Sequence, residues 1–249
     1  FGSPIGLDIN LNIFRKDSTF STTRQQARLN YQINPNHRLS AGIGSTISSD
    51  LLNTSSTLIE DYNSNYYQVG YNYIKPQYYD PLFPINFWLD ISTNFGNRTQ
   101  NGNEIQQNAY TIETYKIFNL NKRNSFFLRL TGASLNSGNY LDNELYRFGG
   151  INSIRGFEEN SLVANLFGVI NTEYRYRLSN TIYVHSVIDA AYFENDLTNT
   201  KNKLFGFGFG LGLLTKAGLF KLNYSSGKTE NVPFKLSDSK IHVSLTTSF

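Results

Sequence analysis

The residues whose types and spacing could do chemistry lie in the second half of this 249-residue chain. Arg155 is a fixed cation in the longest connection of the sequence, 135–160. Glu173 follows on a strand-like segment, where it shares a face with Asn165, Asn171 and Arg175. Phe167 and Val169 fall on that face too, so it is mixed rather than cleanly polar. Asp189 shares a face with His185 on the next such segment. A guanidinium can pair bidentately with a carboxylate. From the residues alone, an external turn with a solvated Arg155 is the preferred reading, because exposed ion pairs contribute little.

Other chemistries are set aside. With no Cys, disulfides, thiol catalysis and Cys-based metal sites are excluded. His37, His185 and His242 lie far apart, without metal-ligand spacing, so no metal is expected. His185 and Asp189 resemble a dyad, but no nucleophile accompanies them, and a hydrogen-bond network is preferred. The glycines from Gly149 to Gly156 precede no helix and no Lys-Ser/Thr pair, which argues against a phosphate loop. No G-x-S-x-G elbow occurs. The chain is expected to be no enzyme and to carry no cofactor.

Strands must position these residues. Ile5, Leu7, Ile9, Leu11 and Ile13 alternate with Gly6, Asp8, Asn10 and Asn12, a period of two. About twelve such segments recur, near 5–15, 18–33, 36–48, 62–75, 85–96, 105–118, 124–134, 161–178, 181–194, 203–214, 217–227 and 240–249. Lys116 falls on the face of Tyr110 and Ile112 and makes 105–118 the least clean. The strands reach the roughly 9–11 residues needed to span a bilayer. Aromatics such as Tyr66, Tyr67, Tyr73, Tyr78 and Tyr79 crowd their ends, as at a membrane interface. Short connections alternate with long ones: 49–61, 95–103, 135–160, 195–202 and 227–239 are long. The exceptions are 75–84, long on the short side, and 15–19, short on the long side. The expected fold is all-β: an antiparallel transmembrane β-barrel with an apolar exterior and a polar lumen, occupying 1–249.

Composition agrees with this geometry. Mean hydropathy is −0.37, yet aromatics reach 15% and charged residues only 16%, against about 25% charged in a globular domain. Polar lumen and apolar exterior cancel in the average. Lys+Arg 22 against Asp+Glu 19 gives +3, and the cations are scattered, so no nucleic acid is expected. The absence of Met places the first residue inside a longer protein, by expectation.

The longest connection contains Phe148-Gly149-Gly150 and then Ser153-Ile154-Arg155-Gly156-Phe157. This pattern resembles the sixth-loop signature of the BamA/TamA superfamily of outer-membrane assembly and translocation barrels. The segment from Gly168 through Glu173 to Arg175 is similar to the family's next motif. Val187-Ile188-Asp189-Ala190-Ala191 is similar to the one after, departing at Ala191 where Gly is usual. The resemblance implies that the loop folds into the barrel, with Arg155 paired to Asp189, Glu173 or both. It also implies a location in the bacterial outer membrane. The implied partners are outer-membrane lipids, lipopolysaccharide, client outer-membrane proteins and periplasmic or lipoprotein accessory subunits. Such barrels usually have sixteen strands. Counting back from the loop, the chain starts at the fifth, which places four strands and POTRA domains upstream. Closure as a smaller barrel is the alternative. The expected function is insertion or translocation of outer-membrane proteins; the barrel of a patatin-type lipase fusion, or a passive pore, are the alternatives.

Two further features invite a role. Gly206, Gly208, Gly210 and Gly212 alternate with Phe205, Phe207, Phe209, Leu211 and Leu213. A glycine face admits a close backbone, so the returning loop is expected to pack there; a bend in a curved sheet is the alternative. Phe249, the last residue, resembles the C-terminal sorting signal of outer-membrane barrels.

Overall fold

A computed structural model describes residues 3–51, 58–230 and 235–247. Phe249 lies outside the described residues. The strands, in chain order, are β1 (Ile5–Lys16), β2 (Phe20–Asn34), β3 (His37–Asp50), β4 (Tyr62–Pro76), β5 (Ile85–Gln100), β6 (Asn103–Asn119) and β7 (Asn124–Ser137). Two short strands follow, β8 (Tyr146–Phe148) and β9 (Leu162–Ala164). Then come β10 (Leu166–Arg177), β11 (Ile182–Asn195), β12 (Thr200–Thr215), β13 (Gly218–Thr229) and β14 (Lys240–Thr246). Twelve of them form one antiparallel sheet in the order β1 to β7, then β10 to β14. Among the described residues β1 and β14 are its edges and do not pair with each other.

The alternation has the sense the sequence implies. Outward side chains are apolar and exposed: Ile9 is 78% and Phe209 64% accessible. Inward side chains are polar and buried, among them Asn30, Gln68, Asn72, Asn171 and Asn223. This is the inverse of a soluble domain and the pattern of a barrel solvated by lipid. Lys116, the exception on β6, reaches Asn86 Oδ1 at 2.5 Å and lies 5.8 Å from the Phe87 ring centre. Its stem stays on the apolar face while its ammonium finds a polar partner.

Three expectations about connections need correction. The expected long connection 95–103 is strand on both sides of a tight turn, with Gln100 opposite Asn103. Asn101 and Gly102 have φ of 49° and 78°, the geometry that Asn-Gly favours in two-residue hairpins. The connection expected over 195–202 shrinks to 196–199. The segment 161–178 is not one strand. Leu162–Ala164 pairs with Tyr146–Phe148 as a hairpin of the long loop, and the spanning strand begins at Leu166.

Two segments cross the concave face and keep the sheet curled. The loop between β7 and β10 reaches β3 through Asn143 Nδ2, 2.9 Å from Ser48 Oγ, and β14 through Gly156. The connection 77–84 carries Phe83 to Tyr183 of β11, with ring centres 4.9 Å apart.

Ile188 sits mid-strand on the outer face of β11 and is 53% accessible. Ile188→Arg is expected to cost about 2–4 kcal/mol, the value for a cation at the bilayer midplane. Reversible folding into lipid bilayers measures it; no loss there would reverse the inside–outside assignment.

Candidate functional site

Alternation aims Asn171, Glu173 and Arg175 of β10 inward, with His185 and Asp189 of β11 beside them, and all five are buried. Strand register sets them in rows. Arg129, Asn171, Asp189, Gly206 and Gly227 are successive partners across β7, β10, β11, β12 and β13. The loop lies along this row. Asn171 Nδ2 donates to the Ser153 carbonyl at 2.7 Å. The Gly156 N–H donates to His242 Nε2 of β14 at 3.1 Å. That bond requires a neutral imidazole with its proton on Nδ1.

Arg155 is the centre of the site and is 3% accessible. Its Nε and Nη2 donate to Asp189 Oδ2 and Oδ1 at 2.8 and 2.6 Å, a two-point fork. The Arg155 backbone N–H also donates to Asp189 Oδ2, at 3.0 Å. Nη1 reaches Glu173 Oε1 at 2.5 Å. The other Glu173 oxygen takes Nε of Arg175 at 2.7 Å. Of the open alternatives for Arg155, the structure therefore shows both carboxylates engaged. Burial opposes the Arg155 charge, but Glu173 and then Asp189 outweigh it, so its pKa lies above the ordinary value.

Apolar packing seats the same loop. Phe148 stacks on Phe167 with ring centres 4.6 Å apart and planes 3° from parallel. Ile154 is fully buried with Val169, Ala191, Phe193 and Leu204, and Phe157 packs against this cluster. Burying one such side chain stabilises by about 1.5–3 kcal/mol. Phe167 and Val169, the apolar interruptions of a polar face, thus have a reason: the loop covers them. Gly149 and Gly150 open the turn, where the Gly150 N–H donates to the Ile154 carbonyl at 3.1 Å. Gly156 has φ 91°, and a Cβ there would lie 2.5 Å from the Gly227 nitrogen.

The glycine strip needs a partial correction. Only Gly206 receives the loop: a Cβ there would meet the Arg155 carbonyl oxygen at 2.2 Å. At Gly208 it would meet the Tyr224 carbonyl of the neighbouring strand at 2.1 Å. Gly210 makes room for Asn223 and His185, and Gly212 for the Tyr183 ring. These three glycines therefore admit side chains and backbone of β11 and β13. The second glycine under the loop is Gly227, which the alternation on β12 could not reveal.

Sequence reasoning also missed the loop's far anchor. Arg98 of β5 is fully buried and pairs with Glu144 and Asn139. Gln107 Nε2 of β6 reaches the other Glu144 oxygen at 2.8 Å. Inward parity of Arg98 was the available signal, but nothing in the spacing tied it to Glu144. Alternation places Arg175 on the Glu173 face but says nothing of its aromatic partners: its guanidinium lies 3.9 and 4.5 Å from the ring centres of Phe127 and Phe83.

No protein-family model and no curated protein matches the sequence. Solved structures do match. BamA from Haemophilus ducreyi lacking POTRA domains 1–3 superposes with a TM-score of 0.69 at 15% identity, over 96% of this chain and 57% of that one. CdiB from Escherichia coli gives 0.65 at 12% identity, over 96% and 48%. CdiB from Acinetobacter baumannii gives 0.59 at 17% identity, over 90% and 42%. The fold is that of the BamA and CdiB barrels. The chain spans about half the length of the structures it resembles. Within this fold the buried cluster joins two cations, Arg155 and Arg175, to two carboxylates, Glu173 and Asp189. Arg155 lies on the loop and the other three on β10 and β11, so the loop supplies the one cation that touches both carboxylates.

Arg155→Ala is expected to cost about 3–5 kcal/mol, because it strands a buried charge on Asp189. Adding Asp189→Asn should recover part of the loss, whereas Arg155→Lys should not, since a lysine lacks the fork. Denaturant unfolding in detergent measures both. Gly206→Ala should raise amide exchange over 153–157, while Gly168→Ala, whose Cβ would meet nothing within 4 Å, should not. Equal exchange in the two variants would refute the proposed loop seat.

Proposed function

We propose that this chain is the membrane barrel of a bacterial outer-membrane protein that inserts or translocates other proteins. It does no covalent chemistry itself. Outer-membrane lipids and lipopolysaccharide surround it, client outer-membrane proteins are its substrates, and periplasmic or lipoprotein subunits assist it. The observation that carries this reading is the Arg155 cluster: a loop drawn into the lumen and held by Asp189 and Glu173. The likeness of fold to BamA and CdiB supports it.

The working surface in this reading is the edge of β14. That strand has seven residues and pairs with β13 over Leu219–Ser225. Its other side is unpaired among the described residues. Backbone donors and acceptors there suit a client strand joining by β-augmentation. His242 brings the loop to this strand, so loop position and edge geometry are linked through one hydrogen bond.

The test uses the full-length protein in lipid vesicles with an unfolded outer-membrane barrel as client. Client folding, read by its electrophoretic shift on heating, is expected to be faster than in protein-free vesicles. Arg155→Ala should remove most of that acceleration. Equal rates with and without the protein would exclude the insertion reading.

A further inference from the structure

The connection 77–84 lies on the side of the short turns, yet while Tyr78 and Tyr79 are exposed, its other face is built like core. A turn facing water carries polar residues and solvated backbone. Here Gln77, Asp80, Leu82 and Phe83 are all buried. The segment is wound on itself. The Gln77 N–H donates to the Pro84 carbonyl at 2.8 Å, and Gln77 Nε2 to the Phe83 carbonyl at 2.6 Å. Asp80 Oδ1 accepts the N–H groups of Leu82 and Phe83 at 3.1 and 3.2 Å.

Its contacts lie across the lumen. It leaves β4 and enters β5, but Leu82 and Phe83 pack with Ile117 of β6 and Tyr183 of β11. Phe127 of β7, Leu214 of β12 and Leu219 of β13 close around the same cluster. Asp80 pairs with Arg177 of β10. Gln77 Oε1 accepts from Asn86 and Asn119 at 3.1 and 3.0 Å. The segment therefore packs across one end of the space that the long loop enters from the other. The two meet at Arg175. Its guanidinium rests on the Phe83 ring, and its Nε is held by Glu173, which also holds Arg155.

We propose that residues 77–84 are a strap that closes the periplasmic mouth of the lumen, and that Arg175 couples the seat of the strap to the docked loop. Undocking the loop removes Arg155 from Glu173. The carboxylate that orients Arg175 then loses a partner, and the surface under Phe83 is no longer fixed. This device is independent of what the barrel moves: it concerns passage through the lumen, not insertion activity.

Single-channel recording on the full-length protein in planar bilayers tests the closure. Phe83→Ala is expected to raise conductance several-fold over wild type. A folded Phe83→Ala protein, verified by its electrophoretic shift on heating, with wild-type conductance overturns the strap. Should Phe83→Ala not fold, Asp80→Asn decides. That change removes the charge facing Arg177 and keeps an oxygen for the two N–H groups. Raised conductance supports the closure; wild-type conductance overturns it. Amide exchange tests the coupling. Arg155→Ala should speed exchange at Leu82 and Phe83, and unchanged exchange there rejects the role of Arg175.

Discussion

A guanidinium buried between two carboxylates is costly to assemble and hard to replace. Taking three charges from water carries a desolvation penalty that only close, fully hydrogen-bonded geometry offsets. Arg155 meets that condition through Asp189 on two side-chain bonds and Glu173 on a third. The constraint spreads outward from there. Asp189 must face inward, which fixes the parity of β11 and, through the ladder, of its neighbours. Gly206 and Gly227 must lack side chains, because the loop backbone lies on them. Phe148 and Ile154 must be apolar, because they fill the floor made by Phe167 and Val169. Much of the surrounding sequence follows from seating one charged side chain.

The fold was legible because a barrel strand repeats one rule. Ile5 to Ile13 declare their outer face by alternation alone, and the same rule located all twelve sheet strands. It failed where a residue answers to something other than its own strand. Leu162–Ala164 alternates like a spanning strand but pairs with Tyr146–Phe148 in the loop. Asn101-Gly102 is a hairpin signal that alternation alone does not read, because the strand residues on either side of it are polar on both faces.

The site was legible only in part. Alternation placed Glu173 and Asp189 on inner faces, but proximity of Arg155 to them came from resemblance, not spacing. Glu144 and Arg98 show why. They are 46 positions apart, on a loop and a distant strand, and no local period links them. Gly206 and Gly208 look identical in sequence. Only register distinguishes the one under the loop from the one that accommodates Tyr224.

The long loop and the connection 77–84 also bear on the gap between β1 and β14. Both are crossbars, tied to strands on opposite arms of the sheet. The curvature is thus held like that of a strung bow, by its chords rather than by a join at the tips. Separating the two edges further, or admitting something between them, then breaks no ladder among the described residues. What resists is the set of side chains at the centre, far from where the opening occurs.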